Sequence, residues 1–230
     1  MEKKNALLLT VIAVATLLVA VVGATFAYFT ATSTGKKEQT VEVTTDTINE
    51  AEFDPGLAIS INANLSNFGK PHEEYTVDPK TQTDTNEAHA KFKAGTAGTA
   101  SMCYNVGLQI DKNTFRTQSA GYTLENIPEL SMTVKKGSTT VYENLSLLGQ
   151  GPEESTEPSV TIYFPEESSS VALTSPVQHK MTSTGEDNLI DDLWTTTISF
   201  NYDPNGSQND NAGSMLSGKI IFTKLDKCNP

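Results

Sequence analysis

Basic residues are scarce in this chain. It carries 16 lysines and arginines against 28 aspartates and glutamates, which gives a formal net charge of −12. A nucleic acid needs a basic surface that meets its phosphates, and an anionic lipid surface attracts basic residues in the same way. The composition therefore predicts no nucleic-acid partner, and it is typical of a protein kept soluble by its own charge repulsion.

Motifs of catalysis are missing as well. The three histidines belong to no HExxH sequence, no CxxC pair is present, no serine lies in a GxSxG elbow, and no glycine-rich loop is suited to phosphate. The sequence predicts a protein that is not an enzyme, with no cofactor and no small-molecule substrate. His179 lies between Val177 and Met181 on a predicted strand, where we expect a partly buried histidine with satisfied hydrogen bonds.

One loop offers a weak metal candidate. Asp203, Asn205 and Ser207 place oxygen atoms at alternate positions, which suits calcium. The twelfth position counted from Asp203 is Ser214, so the bidentate glutamate of an EF-hand loop is absent. The same residue types are typical of tight turns, and we expect a turn here, with calcium as the alternative.

Cysteine is limited to two residues, Cys103 and Cys228. In an exported chain a disulfide between them persists, and it would close a loop of more than half the chain. In the chain-entropy model a loop of this size stabilises the fold by about 4–5 kcal/mol. We expect the bond on the outside of a sheet, because Cys103 alternates with the apolar Met102 and Tyr104. The alternative is two unpaired thiols.

Only one long apolar run is present, and it lies at the N-terminus. Two lysines precede the run Ala6–Val22, and small residues follow in Gly23–Phe29. This is the pattern of a secretory signal. We expect cleavage between Ala27 and Tyr28, because Thr25 and Ala27 supply the small residues that a signal peptidase requires. The signal then makes only transient contact with the membrane.

An uncleaved anchor helix is the competing interpretation of the same run. Ala6–Phe29 is long enough to cross a bilayer. Under either interpretation the rest of the chain lies outside the membrane, which predicts a secreted or cell-surface protein.

Alternation of apolar and polar residues with period two dominates the rest of the chain and predicts strands. The clearest alternation covers Leu57–Ile61, Met102–Ile110, Leu130–Val134, Val160–Phe164 and Trp194–Tyr202. Weaker alternation covers Val41–Val43, Val141–Leu148, Val171–Leu173, Val177–Met181 and Ile220–Leu225. Short helices are considered only at Gln118–Ile127 and Glu186–Leu193.

These patterns predict an all-β fold, a single jelly-roll-like antiparallel β-sandwich preceded by an N-terminal hydrophobic signal or anchor helix. We place the signal at residues 1–27, an N-terminal segment at 28–47 and the sandwich at 48–230. A polar stretch near residues 66–98 has few apolar positions, and we expect an insertion at the surface of the sandwich.

A family resemblance appears at the end of the apolar run. Gly23–Thr30 resembles the signal exit of the TasA/camelysin family of secreted Gram-positive proteins, which a dedicated signal peptidase processes. Thr40–Thr45 resembles the family's first mature strand, and Asp192–Phe200 with Gly218–Phe222 resembles the last hairpin of related secreted proteins. The resemblance covers about a quarter of the chain. It implies a structural protein of extracellular biofilm-matrix fibres.

The resemblance also implies a mechanism, donor-strand exchange. The segment Tyr28–Thr47 would add as a strand to the open sheet edge of the next subunit, so that the protein associates with itself. Tyr28 and Phe29 would bury their rings there, and Val41 and Val43 would present one apolar face. The alternative is that the segment folds back as an ordinary first strand.

A second hypothesis belongs to another class of function. In it the chain is a membrane-anchored adhesin or carbohydrate-binding β-sandwich on the cell surface. Four aromatic residues would be its contacts if they were exposed together: Tyr75, Phe92, Tyr122 and Tyr142.

Overall fold

Burial alternates along the strands, as the sequence pattern predicts. The computed structural model describes residues 38–44, 47–63, 82–95, 98–185, 187–203 and 205–228, with side chains from residue 49 onward. These residues contain eleven strands and no α-helix, with a single 3-10 turn at Asn209–Asn211. The strands are β1 (Glu38–Thr44), β2 (Thr47–Asp54), β3 (Ile59–Asn62), β4 (Gln82–Lys93), β5 (Ala100–Asn113), β6 (Leu130–Lys136), β7 (Thr139–Ser146), β8 (Val160–Tyr163), β9 (His179–Ser183), β10 (Ile190–Phe200) and β11 (Met215–Leu225).

The strands form two antiparallel sheets. Sheet A has the order β1-β2-β4-β10-β6-β7, and sheet B has the order β3-β11-β5-β8, with β9 also paired to β5. Every named strand pair is antiparallel. The prediction of an all-β fold with two antiparallel sheets is confirmed.

The core lies between the inward faces of the two sheets. Its largest fully buried side chains include Trp194 from sheet A and Tyr104 from sheet B, together with Tyr142, Phe115 and Phe164. Aromatic rings of this size dominate core energetics because each removes a large apolar area from water.

The prediction of a surface insertion near residues 66–98 is wrong in part. Residues 82–93 form β4, which lies between β2 and β10 inside sheet A. Its buried face carries Asn86, Ala88, Ala90 and Phe92. Small and polar residues on the core face produce little apolar signal, which is why the strand was mistaken for an insertion. Residues 64–81 lie outside the described part of the chain.

Neither candidate helix is present in the described residues. Gln118–Ile127 contains turns, a bend and an isolated bridge from Gly121 to Ser207, and Ile190–Leu193 belong to β10. The acidic pair Asp191–Asp192 interrupts the apolar alternation at the start of this strand and hides it. The predicted N-terminal hydrophobic helix lies outside the described residues, and none of the described residues forms a helix with the length and apolarity of a membrane span.

The predicted N-terminal segment 28–47 is described only from Glu38 onward. β1 continues sheet A, because its backbone pairs with β2.

The disulfide between Cys103 and Cys228 is present, as expected, with 5.3 Å between the two Cα atoms. Cys103 pairs in register with Leu225 near the end of β11, and the chain bends at Asp226 and Lys227 before it reaches Cys228. Neighbouring residues of a strand face opposite sides, so Cys103 lies on the outer face of sheet B. It is only 1% exposed, because the C-terminal tail covers it.

We predict that loss of the disulfide destabilises the sandwich. The bond spans 125 residues, and the variant Cys228→Ala should lower the free energy of unfolding by about 2–5 kcal/mol. Urea unfolding under oxidising conditions measures the difference. Chemical reduction of the wild type is the matched comparison and should produce the same loss. Equal urea midpoints for all three samples would contradict a stabilising role for the bond.

Candidate functional site

Several strands at the sheet edges have additional backbone or side-chain partners. The Ser169 N–H donates to the Val141 carbonyl beside β7 at 2.9 Å, and the Tyr163 N–H of β8 donates to the Leu173 carbonyl at 2.8 Å. On β3, the Ser60 N–H donates to Asp84 Oδ2 at 2.7 Å. An unpaired edge displays free N–H and C=O groups that attract another strand. These contacts occupy part of that hydrogen-bonding capacity at β3, β7 and β8.

The edge formed by β1 is different. Within the described residues β1 pairs with β2 alone, through a continuous ladder that runs from Glu38↔Phe53 to Thr44↔Thr47. Only two residues separate the end of β1 from the start of β2. A short connection of this kind favours exchange of a strand between identical chains, and the same strand from another copy can make the same ladder.

The register of β1 bears on the two valines of the predicted donor strand. Val41 pairs with Glu50, which is exposed, and Val43 pairs with Ile48. The buried core residues Ala51 and Phe53 pair with Thr40 and Glu38 instead. In this register the two valines are not the partners of the buried residues Ala51 and Phe53.

A small cleft lies next to this edge. Its volume is about 80 Å³, and its lining includes Asn49 and Ala51 of β2, Phe92 of β4 and the disulfide Cys103–Cys228. Pockets for small molecules usually have about 300–1,000 Å³. This cleft has room for one side chain or a few waters and is too small for such a ligand.

The residues predicted to act at the N-terminus lie outside the described part of the chain. This applies to the expected cleavage site, Ala27 and Tyr28, and to Phe29. The structure places only Val41 and Val43 of the predicted donor strand.

The adhesin hypothesis predicts four exposed aromatic contacts, and this prediction is wrong for three of them. Phe92, Tyr122 and Tyr142 are buried, at 3%, 8% and 0% exposure, and Tyr75 lies outside the described residues. The Tyr122 hydroxyl donates to the Ile127 carbonyl at 2.9 Å, and burial, with the nearby charges of Glu129 and Asp203, raises the pKa of Tyr122 to about 12. These three rings stabilise the fold and form no exposed binding surface.

Asp203, one of the three calcium candidate residues, joins two loops through hydrogen bonds to Thr123 and Asn205, and we call these three residues the loop clamp. Asp203 is fully buried, and its carboxylate accepts hydrogen bonds from the N–H and hydroxyl of Thr123 and from the N–H of Asn205. Burial raises the pKa of Asp203, but these bonds and one from Gly206 outweigh it, so the pKa lies below its usual value. The Ser207 N–H donates to the Gly121 carbonyl. N–H donors around a carboxylate are typical of a turn rather than of a cation site.

A second buried carboxylate lies beside this clamp and was missed in the sequence. Glu129 is fully buried, and it accepts hydrogen bonds from the Ser119 N–H and hydroxyl, Asn211 Nδ2 and Gln208 Nε2. These donors come from two loops distant in sequence, so no local pattern reveals them. Among the described residues no three histidine, cysteine, aspartate or glutamate side chains form a metal cluster.

The other polar cluster that sequence reasoning missed connects the two sheets. On sheet A, Asp192 Oδ2 accepts hydrogen bonds from Lys136 Nζ at 2.9 Å and from the hydroxyl of Tyr104, on sheet B, at 2.6 Å. Trp194 Nε1 donates to the same Tyr104 oxygen at 3.0 Å. Desolvation of the hydroxyl and the adjacent Asp192 charge raise the pKa of Tyr104 far above its ordinary value. Tyr104 therefore remains a neutral donor.

His179 completes this cluster from β9. It is fully buried rather than partly buried, its ring lies edge-on to Trp194 at 4.8 Å, and its Nε2 donates to the Phe164 carbonyl at 3.0 Å. Nδ1 lies 3.2 Å from Glu166 Oε1 but makes no hydrogen bond. Desolvation lowers the pKa of His179 and outweighs the opposite effects of the Phe164 carbonyl and the Glu166 carboxylate.

Comparison with known proteins adds no relative. No protein-family model, curated protein or solved structure matches this chain.

We predict that His179 makes the fold less stable in mild acid. Its folded-state pKa lies below the unfolded value of about 6.5, so the unfolded chain binds the proton first. Stability is complete above pH 6.5 and falls as the pH decreases, by at most about 1.4 kcal/mol per pH unit. Urea unfolding between pH 7.5 and 5 measures this slope.

The variant His179→Gln should flatten that slope, because glutamine keeps a donor for the Phe164 carbonyl but does not titrate. The wild type measured over the same pH range is the reference for this slope. An unchanged slope in His179→Gln would show that another group titrates.

For the loop clamp we predict that Asp203→Asn lowers the free energy of unfolding by about 1–3 kcal/mol, because an amide group would face the N–H donors of Thr123 and Asn205. Calcium should leave the melting temperature of the wild type unchanged. The opposite result, a calcium-dependent rise that Asp203→Asn abolishes, would establish the calcium site.

Proposed function

We propose that this protein is a secreted structural subunit of extracellular biofilm-matrix fibres on a Gram-positive-type cell, and that it assembles by exchange of its N-terminal strand. The observation that carries the proposal is the β1 edge, where one continuous backbone ladder to β2 holds the strand within the described residues. The signal pattern of residues 1–27 and the resemblance to the TasA/camelysin family support export and matrix assembly. The implied partners are further copies of this chain and a signal peptidase.

Strand exchange in this proposal begins when β1 leaves its own β2. The exposed N–H and C=O groups of β2 then accept β1 of another copy, in the same register and with the same hydrogen bonds. The contact is heterologous, since one copy gives a strand and another receives it, so the assembly extends without closing. Because the bonds made and broken are equivalent, protein concentration decides whether β1 pairs within one chain or between chains.

We also infer a jelly-roll-like architecture for the sandwich. The support is that the chain crosses repeatedly between the two antiparallel sheets, as β2, β3, β4 and β5 lie alternately in sheet A and sheet B. An experimental structure of the fibre subunit would test this finer description.

We predict that a covalent link between β1 and β2 blocks fibre formation. The variant Val41→Cys/Glu50→Cys places two cysteines at directly paired positions, and their oxidation would hold β1 on its own β2. Negative-stain electron microscopy of the signal-cleaved protein at high concentration should show fibres for the wild type and dispersed particles for the oxidised variant.

The matched control is Lys135→Cys/Thr140→Cys, which links the paired strands β6 and β7 at the opposite edge of sheet A. This variant should form fibres like the wild type. Fibres from the oxidised β1–β2 variant would refute strand exchange, and a wild type that remains dispersed at all concentrations would refute the assembly function itself.

A further inference from the structure

An amine and a carboxyl group are in contact at the inner side of sheet A. Lys136 Nζ lies 2.9 Å from Asp192 Oδ2, and the two side chains are 27% and 17% exposed. Lys136 alternates with the buried residues Met132 and Val134 of β6, and Asp192 alternates with buried Trp194 of β10. Both groups therefore lie on the core-facing side, where they are mostly shielded from water.

Aromatic side chains surround this pair. Lys136 Nζ lies 5.4 Å from the centre of the Trp194 ring. The Tyr104 hydroxyl donates to the same Asp192 oxygen that contacts the lysine, and Trp194 Nε1 donates in turn to Tyr104. The relay holds the carboxyl group in one orientation and withdraws electron density from it.

We propose that Lys136 and Asp192 condense to an intramolecular amide between Nζ and Cγ. The ammonium group passes one proton to the carboxylate, and the neutral nitrogen attacks Cγ. The N–C bond forms while the bond from Cγ to one carboxyl oxygen breaks. That oxygen leaves as water with two of the three ammonium protons, and the third remains on the amide nitrogen. No oxidant, reductant or co-reactant is required.

The fixed geometry keeps the amine and the carboxyl group in contact, which free groups in solution are not. Reacting groups held in contact behave as if at effective concentrations of up to about 10⁵–10⁸ M. Negative charge that develops on the carboxyl oxygen during the attack lies at the hydroxyl of Tyr104, which stabilises it. Lys136 is already paired in register with Trp194 across β6 and β10, so no strand has to move when the bond forms.

The intact mass of the purified full-length chain, measured after denaturation and reduction, tests the proposal. We expect the wild type to be lighter than its sequence by one water. Lys136→Arg keeps the positive charge, but its guanidinium is a poor nucleophile, so this variant should have its full mass. Comparison of two proteins from the same host cancels any N-terminal processing. Asp192→Asn should give the same product as the wild type, because ammonia leaves in place of water.

A wild type with its full mass would overturn the proposal and leave an ordinary ion pair. A loss of water that persists in Lys136→Arg would also overturn it, since the loss would then lie elsewhere, for example in a succinimide. If the variant does not fold, the mass of the wild type together with a search for a branched peptide that joins the two residues still decides. The measurement is independent of fibre assembly and of the proposed function.

Discussion

The free backbone groups at the edges of the two sheets are the constraint on which this structure depends. Each edge strand has N–H and C=O groups that need water or a partner. The chain supplies partners at β3 through Asp84, at β7 through Ser169 and at β8 through Leu173. β1 is itself the cover of β2, and it is attached by one ladder. The edge strand nearest the N-terminus is thus both a cover and the strand that exchange would release.

Polar groups inside the sandwich meet a related constraint, because a buried polar atom without a partner is costly. Glu129 and Asp203 solve it with convergent N–H, hydroxyl and amide donors, and they thereby fix the loops between β5 and β6 and between β10 and β11. The Tyr104–Asp192 contact solves it between the sheets. His179 is one exception, since its Nδ1 has no hydrogen bond. Desolvation lowers the pKa of His179, and this makes the cluster sensitive to acid.

Whether the sequence predicts a strand depends on how strongly the two faces of that strand differ in polarity. Met102–Ile110 and Trp194–Tyr202 alternate large apolar and polar residues, and both are predicted as strands. The first lies in β5, and β10 contains the second as far as Phe200. β4 was not predicted because Ala88 and Ala90 are small and are flanked by the charged residues Glu87 and Lys91. The disulfide was expected because only two cysteines exist. The contact of Lys136 with Asp192 was beyond sequence reasoning, because residues 56 positions apart meet only once β6 and β10 have paired.

Assembly by strand exchange requires an acceptor that stays folded while the donor strand leaves. The sandwich separates these two demands. The Cys103–Cys228 bond ties the C-terminal tail to β5, and the contact between Lys136 and Asp192 joins β6 to β10, so the central strands of both sheets carry side-chain links besides their ladders. Release of β1 breaks its ladder to β2, while the ladders that join the other strands of sheet A remain. The donor strand and the links that hold the acceptor together therefore lie in different parts of the sheet.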